Sequence, residues 1–333
     1  MGSINLKALF FAALVVLGLL AAISVDSADT VFLDRKVNAV NSTAVRAAPV
    51  AVENTGPHEK AVAISFDGNE VSYNFYGEGD VAIVFVHGWS GDHSYWDEQI
   101  PYFREKYQLV TLDLSGHGNS GRKRTDWSMS SYAQDIIAVI ETLKLEKVVL
   151  VGHSFGGLAV IAASQQLPER LAGLVIVDEL NDLEFVHSEF EVTVTGLFLK
   201  AAHAFGIKIM APLYLTSEAE PALVNKVNVS EASVPEEIVM ASLLGEGGYY
   251  DFYNDNKLAY LKRVNAPVAL INSDSLPTPV ESNRKHLPSL ITKIISDAGH
   301  FLMLEAPLEF NHSLNEFLEK SKLTEYKMVK PLS

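Results

Sequence analysis

Short runs of β-branched and other apolar residues recur along the chain and alternate with stretches of helical periodicity. The clearest apolar runs cover residues 81–86, 108–112, 147–151, 174–177, 268–271 and 291–295. Near-continuous apolar runs of this length are typical of strands buried on both faces, as in a parallel sheet that helices cover. The pattern therefore predicts an α/β fold with a mostly parallel sheet.

Two earlier runs and two helical stretches complete this pattern. Residues 61–65 and 70–76 alternate apolar and polar positions more regularly, so we expect an antiparallel edge there. Ser128 is a predicted N-cap for a helix that extends to residue 143. A second predicted helix covers 157–166 and ends before Pro168.

A long insertion breaks the alternation of strands and helices. Residues 181–261 separate two predicted strands that would otherwise be neighbours, and they contain helical pieces with Phe, Leu, Met and Tyr scattered among Gly and Pro. Insertions of this length are more often functional than merely structural. We therefore predict an inserted helical cap.

The N-terminus differs from the rest of the chain. Lys7 precedes an apolar run over 8–23, which ends in small residues such as Ala22 and Ser24. This layout predicts a signal peptide over 1–24 and a secreted or periplasmic protein. The alternative is an uncleaved membrane anchor, since the run is at the short end of what spans a bilayer. The remaining segments are predicted to be a flexible tether (25–60), a folded domain (61–320) and a C-terminal tail (321–333).

Charge and composition exclude several classes of function. The 41 acidic residues outnumber the 26 Lys and Arg residues, and the formal net charge of −15 argues against nucleic acid as a partner. The absence of cysteine from the sequence excludes disulfides, thiolate metal ligands and a cysteine nucleophile. The ten histidines show no H-x-x-x-H spacing, so we predict no metal site.

The strongest chemical signal is the sequence Gly152-His153-Ser154-Phe155-Gly156, which follows an apolar strand and precedes a helix. A serine on so sharp a strand-to-helix turn adopts strained dihedral angles, and the residues two before and two after it must lack bulk. This G-x-S-x-G pattern in its strand–turn–helix context predicts that Ser154 is a nucleophile.

A serine nucleophile needs a base that takes its proton and an acid that orients the base. His300 is the predicted base, because it follows the strand 291–295 at the carboxyl edge of the sheet. Asp274 follows the strand 268–271 and is the preferred acid, while Asp178 ends an earlier strand and is the alternative. Both choices keep the chain order serine, aspartate, histidine.

Backbone N–H groups must stabilise the oxyanion that forms during acyl transfer. We predict one donor in Phe155, directly after the nucleophile, and the other in Trp89, in the loop that follows the strand 81–86. His87 in the same loop is expected to be a structural hydrogen-bonding residue rather than a second base.

Together these residues resemble the α/β-hydrolase fold superfamily, in the branch that holds serine esterases, perhydrolases and C–C bond hydrolases. The resemblance rests on His87-Gly88-Trp89, Asp113-x-x-Gly116-His117-Gly118-x-Ser120, Gly152-His153-Ser154-x-Gly156 and Gly299-His300-Phe301. It implies a mostly parallel eight-stranded sheet flanked by helices, a cap after the sixth strand and no cofactor.

One departure from the family pattern concerns the acid. Where the family usually shows G-x-x-D after the seventh strand, this chain has residues 272–277, in which Asp274 arrives early. Proteins that resemble haloalkane dehalogenases carry the acid after the sixth strand, where Asp178 lies. Those enzymes have Asp at the position of Ser154, so their reaction is not expected here.

The function that these residues favour is hydrolysis of a carboxylic ester or related acyl bond, through an acyl-enzyme on Ser154. The predicted partner is a small, apolar, ester-like substrate. C–C bond hydrolysis and perhydrolysis are the alternatives on the same scaffold, and a small-molecule receptor without turnover is the alternative of a different class.

Overall fold

An eight-stranded sheet runs through residues 59–321, the part of the chain that the computed structural model describes. Its strands are Glu59–Ile64 (β1), Glu70–Tyr76 (β2), Ala82–Val86 (β3), Gln108–Leu112 (β4), Val148–His153 (β5), Leu171–Val177 (β6), Val268–Ser273 (β7) and Ile291–Ile295 (β8). They lie in the order β1-β2-β4-β3-β5-β6-β7-β8. Pairing is antiparallel from β1 to β2 and from β2 to β4, and parallel elsewhere. The predicted mostly parallel sheet with an antiparallel edge is confirmed.

Helices connect the strands and cover the sheet. They are Ile100–Phe103 (α1), Met129–Thr142 (α2), Phe155–Ser164 (α3), Glu189–Ala204 (α4), Met210–Tyr214 (α5), Pro221–Ser233 (α6), Glu236–Leu244 (α7), Tyr249–Asp255 (α8), Lys257–Leu261 (α9), Val280–His286 (α10), Leu302–Glu305 (α11) and Pro307–Lys320 (α12). The predicted cap of Ser128 on α2 is confirmed, because its side chain accepts a hydrogen bond from the Ser131 N–H. Helix α3 begins two residues earlier than predicted, directly after Ser154.

Both faces of the sheet are buried, and β3 shows why its sequence is continuously apolar. Val84 and Val86 belong to the hydrophobic cluster that includes Ile136 of α2. Ile83 and Phe85 belong to the cluster on the other face. Because successive side chains of a strand point to opposite faces, a strand covered on both faces needs apolar residues at every position.

Helices α4 to α9 lie between β6 and β7, where the sequence predicts the cap. Helix α4 opens with a capping box, in which Ser188 and Glu191 exchange side-chain and backbone hydrogen bonds. Within residues 59–321, no helix combines the length and apolarity that crossing a membrane requires. The predicted signal peptide or anchor lies outside the described residues, as do most of the tether and all but the first residue of the tail.

A buried ion pair fixes α2 to the antiparallel edge of the sheet. Nη2 of Arg124 lies 2.6 Å from Oδ1 of Asp135, and the two side chains are 1% and 0% exposed. Asp135 also accepts hydrogen bonds from the Ser65 hydroxyl at 2.7 Å and from the Ser115 N–H at 3.1 Å. The carboxylate therefore has a full set of partners, as a charge removed from water requires.

Removal of Arg124 is expected to leave a buried and uncompensated carboxylate. We predict that Arg124→Leu lowers the free energy of unfolding by about 3–5 kcal/mol, the usual cost of breaking a buried pair from one side. Arg170 pairs with Glu141 at 2.8 Å, with side chains 35% and 56% exposed, and is the matched control. Arg170→Leu should cost at most about 1 kcal/mol. Urea unfolding of both variants measures the difference, and equal losses of stability would show that the buried Arg124–Asp135 pair contributes no more than the exposed pair.

Candidate active site

Ser154 occupies a strained turn between β5 and α3. Its φ and ψ angles are 50° and −123°, in a backbone region that residues other than glycine rarely adopt. Such a conformation costs about 1–3 kcal/mol and persists only where the surrounding structure imposes it. The geometry is that predicted for the G-x-S-x-G turn, and the Ser154 side chain stays partly exposed at the carboxyl end of β5.

The glycines on either side of Ser154 are required by close backbone approach. A Cβ atom at Gly156 would lie 2.8 Å from the carbonyl oxygen of Val86, and one at Gly152 would lie 2.7 Å from a methyl group of Val160. Real Cβ atoms are not found at such distances. The turn therefore packs directly against the end of β3, which brings Ser154 close to the loop that contains Trp89.

His300 is held by two hydrogen bonds from other parts of the chain. Its Nδ1 lies 2.7 Å from Oδ2 of Asp178, and its backbone N–H donates to the carbonyl oxygen of Tyr214 at 2.8 Å. The side chains of His300 and Asp178 are 15% and 6% exposed. Because Nδ1 is engaged by the carboxylate, Nε2 is the ring nitrogen that can exchange a proton with another group.

The sequence favours Asp274 as the partner of His300, but in the structure the partner is Asp178. The Asp178 carboxylate bonds His300 through one oxygen and accepts the Ser273 N–H at 2.6 Å through the other. Asp274 is exposed, and its carboxylate is 3.4 Å from the N–H of Asp297. The expectation that Asp274 meets His300 is therefore corrected, because the carboxylate that bonds the histidine is that of the alternative, Asp178.

The physical reason for this correction is the length of β7. The strand continues two residues beyond the predicted end and pairs with β8 as far as Ser273. Ser273 thus donates its N–H to Asp178, and Asp274 falls beyond the strand on the solvent side. Asp178 itself has a φ angle of 46°, a second strained residue at this edge of the sheet.

The two predicted oxyanion donors come from the start of helix α3 and from the loop that follows β3. Phe155 is the first residue of α3, and Trp89 follows β3. Among residues 59–321, no backbone carbonyl accepts a hydrogen bond from either N–H. Gly88 permits the close approach, since a Cβ there would lie 2.6 Å from Nδ1 of His153. The predicted site residues Ser154, Phe155 and Trp89 are thus grouped at one edge of the sheet.

Histidines around the site are fixed in neutral forms. His87 donates from Nδ1 to the Gly88 carbonyl at 2.7 Å and accepts the Leu114 N–H at Nε2, which fits its expected structural role. Nε2 of His153 lies 2.9 Å from the carbonyl oxygen of His300 and donates to it. Burial lowers the pKa of the His153 imidazole well below its usual range. Burial also lowers the pKa of the His87 imidazole, so both rings stay neutral.

Glu179, directly after Asp178, is a residue of the site that sequence reasoning missed. Its side chain is buried and accepts a hydrogen bond from the hydroxyl of Tyr249 in the cap at 2.9 Å. Burial raises the pKa of the Glu179 carboxyl to about 7. No motif marks this residue, and its position after a strand-end aspartate is the one available signal.

Comparisons with known proteins now decide the family. The model of the family described as alpha/beta hydrolase fold matches residues 81–307, more than half of the chain. The chain belongs to the α/β-hydrolase fold family. Within the described residues, this hydrolase-fold chain has no group of three or more side chains that could hold a metal ion.

Individual relatives of this α/β-hydrolase-fold protein are distant. It is 26% identical to a putative esterase/lipase 2 from Mycoplasma pneumoniae over 72% of this chain and 89% of the relative. It is also 26% identical to a dihydrolipoyllysine-residue acetyltransferase component of the acetoin cleaving system from Pseudomonas putida, of which it spans 65%. A thermophilic esterase from Thermogutta terrifontis superposes with a TM-score of 0.67 at 22% identity, over 79% of this chain and 99% of that one. This structural likeness shows the fold.

The role of the acid can be tested without knowledge of the substrate. We predict that Asp178→Asn slows phosphonylation of Ser154 by a fluorophosphonate at least about 100-fold, because the amide favours the wrong tautomer of His300. Asp274→Asn is the matched control and should change the rate by less than about twofold, since Asp274 lies outside the histidine's hydrogen bonds. Labelling kinetics followed by intact-protein mass spectrometry give both rates. The opposite ranking would restore Asp274.

The raised pKa of Glu179 predicts a dependence of stability on pH. The pKa of this carboxyl is 4.5 in the unfolded chain and about 7 in the folded protein. Between these two pH values, the folded protein keeps a proton on Glu179 that the unfolded chain has released. Stability therefore falls as the pH rises through this window, by about 3 kcal/mol for a shift of this size. Urea unfolding at pH 5 and at pH 8 measures this effect. From pH 5 to pH 8, the free energy of unfolding of wild type should fall by about 2–3 kcal/mol more than that of Glu179→Gln. Parallel pH profiles of the two proteins would contradict this assignment.

Proposed function

We propose that this protein is a serine hydrolase that cleaves carboxylic esters through an acyl-enzyme on Ser154. The observation that carries the proposal is the combination of the strained Ser154 turn with the His300–Asp178 hydrogen bond at 2.7 Å. A turn of this conformation costs free energy. Strain of this kind beside a histidine paired with a carboxylate is typical of a catalytic serine.

In the proposed first half-reaction, Oγ of Ser154 attacks the ester carbonyl while Nε2 of His300 accepts the hydroxyl proton. The N–H groups of Phe155 and Trp89 stabilise the negative charge that develops on the carbonyl oxygen. His300 then gives the proton to the leaving alcohol. The product of this step is Ser154 esterified by the acyl group of the substrate.

In the second half-reaction a water molecule replaces the alcohol. His300 accepts a proton from this water, which attacks the acyl carbon, and returns it to Oγ of Ser154 as the acid is released. Throughout the cycle, Asp178 holds His300 in the tautomer with a proton on Nδ1 and stabilises the imidazolium form. Ser273 fixes the second oxygen of Asp178, so the carboxylate keeps its orientation.

The relatives support a small ester as the substrate. A putative esterase/lipase and an esterase of the same fold are among the proteins to which this chain is similar. Aromatic side chains lie around the site, with the Tyr214 ring 5.1 Å from the His300 ring and Phe301 packed edge to face on Tyr95 at 5.6 Å. Such walls favour an acyl group of modest size, with apolar surface to bury.

The first residues support a proposal about the location of the protein. We propose that 1–24 directs export, with cleavage after Ser24, and that an uncleaved segment would instead tether the hydrolase to a membrane. The support is the sequence alone, with Lys7 before the apolar run 8–23. Intact-mass measurement of the protein recovered from its natural host distinguishes the cleaved form from the anchored form.

Ser154→Ala should abolish the proposed reaction. We expect kcat for p-nitrophenyl butyrate to fall by about 10⁴-fold or more, because a serine nucleophile and its base act as one unit. Ser164→Ala is the control, since Ser164 lies at the end of the same helix and donates to the carbonyl of Ile161. That variant should stay within about threefold of wild type.

Active-site labelling separates this proposal from a receptor function. A fluorophosphonate should label wild type and Ser164→Ala but leave Ser154→Ala unlabelled. A wild-type protein that is neither labelled nor active on p-nitrophenyl esters would contradict the proposal. The leading hypothesis for the function would then be a receptor that binds small molecules without turnover.

A further inference from the structure

Two successive carboxyl groups after β6 serve different partners. Asp178 bonds His300, whereas Glu179 accepts the hydroxyl of Tyr249 from the cap. The residues on either side of Glu179 both have left-handed backbone conformations, with φ angles of 46° at Asp178 and 58° at Leu180. Backbone strain at two positions in three residues is concentrated where structure serves function rather than stability.

Tyr249 connects the two chemical parts of the site. Its hydroxyl donates to Oε1 of Glu179 at 2.9 Å, beside the residue that orients the base. Its ring lies parallel to that of Phe155, the residue after the nucleophile, with ring centroids 6.2 Å apart and an interplanar angle of 11°. Glu179 thus follows Asp178 directly in the chain, and its partner Tyr249 packs on Phe155, the residue that follows Ser154.

The pair has a balanced electrostatic environment. Lys257 is buried in the same part of the cap, where Nζ donates to the carbonyl oxygens of Phe185 and Tyr253 and lies 4.2 Å from the Tyr253 ring centroid. Burial lowers the pKa of the Lys257 ammonium to about 8, while the negative charge of Glu179 acts in the opposite direction. Lys257 therefore already provides a positive charge in the part of the cap that faces Glu179.

A purely structural role explains this arrangement poorly. Apolar side chains of similar volume would fill the space between the cap and β6 without the cost of burying a carboxyl group. The raised pKa of Glu179 shows that this cost is present in the folded protein. Buried polar groups that lower stability beside a catalytic centre are characteristic of sites that bind a ligand.

We propose that Glu179 and Tyr249 form a recognition site for a hydroxyl group that the substrate carries near its scissile carbonyl. This inference rests on the proposed ester hydrolysis and narrows its substrate class to short hydroxy esters. The substrate hydroxyl donates to the Glu179 carboxyl group, and the oxygen of Tyr249 is a further acceptor. A neutral hydroxyl fits better than an ammonium because Lys257 already supplies the positive charge.

The binding step separates hydroxylated from unsubstituted esters. When an ester without this hydroxyl binds, Glu179 and Tyr249 keep only the hydrogen bond to each other, and the substrate gains none from them. Above pH 7, where Glu179 is ionised, one hydrogen bond to its carboxylate corresponds to a preference of about 10- to 100-fold. The reaction at Ser154 is the same for both esters, so the preference appears in kcat/KM as a difference between substrates.

Steady-state kinetics of the whole protein test the inference. The substrates are ethyl 2-hydroxybutyrate, ethyl 3-hydroxybutyrate and ethyl butyrate, with acid release followed in a pH-stat. We expect wild type to prefer one hydroxy ester over ethyl butyrate by at least about tenfold in kcat/KM. Tyr249→Phe and Glu179→Gln should each remove most of this preference, because kcat/KM falls further for the hydroxy ester than for ethyl butyrate.

Tyr253→Phe is the matched control. Tyr253 lies in the same helix as Tyr249 and in the same aromatic cluster, with ring centroids 5.7 Å apart, but Tyr249 supplies the hydroxyl that Glu179 accepts. This variant should keep the wild-type preference. Urea unfolding of all three variants shows whether each remains folded under the assay conditions.

Three results would overturn the inference. Wild type could cleave hydroxylated and unsubstituted esters equally, or Tyr249→Phe could lower kcat/KM for all three esters by the same factor, as a structural residue would. In the third case Tyr253→Phe removes the preference as strongly as Tyr249→Phe. Absence of both ester cleavage and phosphonate labelling is a different outcome, because it refutes the proposed hydrolase and the recognition site with it.

Discussion

The hydrogen bond between Nδ1 of His300 and Oδ2 of Asp178 is the interaction on which the rest of the site depends. It joins residues that are 122 positions apart and closes the carboxyl edge of the sheet between β6 and the loop after β8. Ser273 at the end of β7 holds the second oxygen of Asp178. The bond therefore exists only because β6, β7 and β8 are adjacent and parallel, with their carboxyl ends at one edge.

The cap is fastened to this edge at several points rather than resting on it loosely. The Tyr214 carbonyl accepts the N–H of His300, and Glu305 accepts both the N–H and the hydroxyl of Thr216. On the other side, Ser230 donates to Asp92 and Lys226 donates to the Ser94 carbonyl, beside the loop that contains Trp89. The segments that contain the base and the predicted oxyanion donor are thus both tied to the cap, so movement of the cap would change both.

Much of this arrangement could be predicted from local sequence. The continuous apolar runs identify the parallel strands because both faces of the sheet are buried, and Ser128 marks a helix start through its own side chain. Ser154 is recognisable because a sharp turn needs glycine on both sides, and those glycines are close together in the chain. His300 follows from the end of the last strand.

The acid and the cap pair could not be predicted in the same way. Whether Asp178 or Asp274 meets His300 depends on where β7 ends, and that end is set by the pairing of Ser273 with Ile295. Glu179 and Tyr249 are 70 residues apart and meet only after the cap has folded over β6. Their relation is a tertiary contact between loop and helix, for which neither residue type nor periodicity supplies a signal.

The central claim is that Ser154, His300 and the two backbone donors act on one substrate carbonyl. The most direct test is a crystal structure of the protein after reaction with a fluorophosphonate, whose phosphoryl oxygen mimics the oxyanion. We expect phosphorus bonded to Oγ of Ser154, with the phosphoryl oxygen about 2.7–3.1 Å from the backbone nitrogens of Phe155 and Trp89. A phosphoryl oxygen directed away from both nitrogens, or phosphorus on another residue, would contradict it.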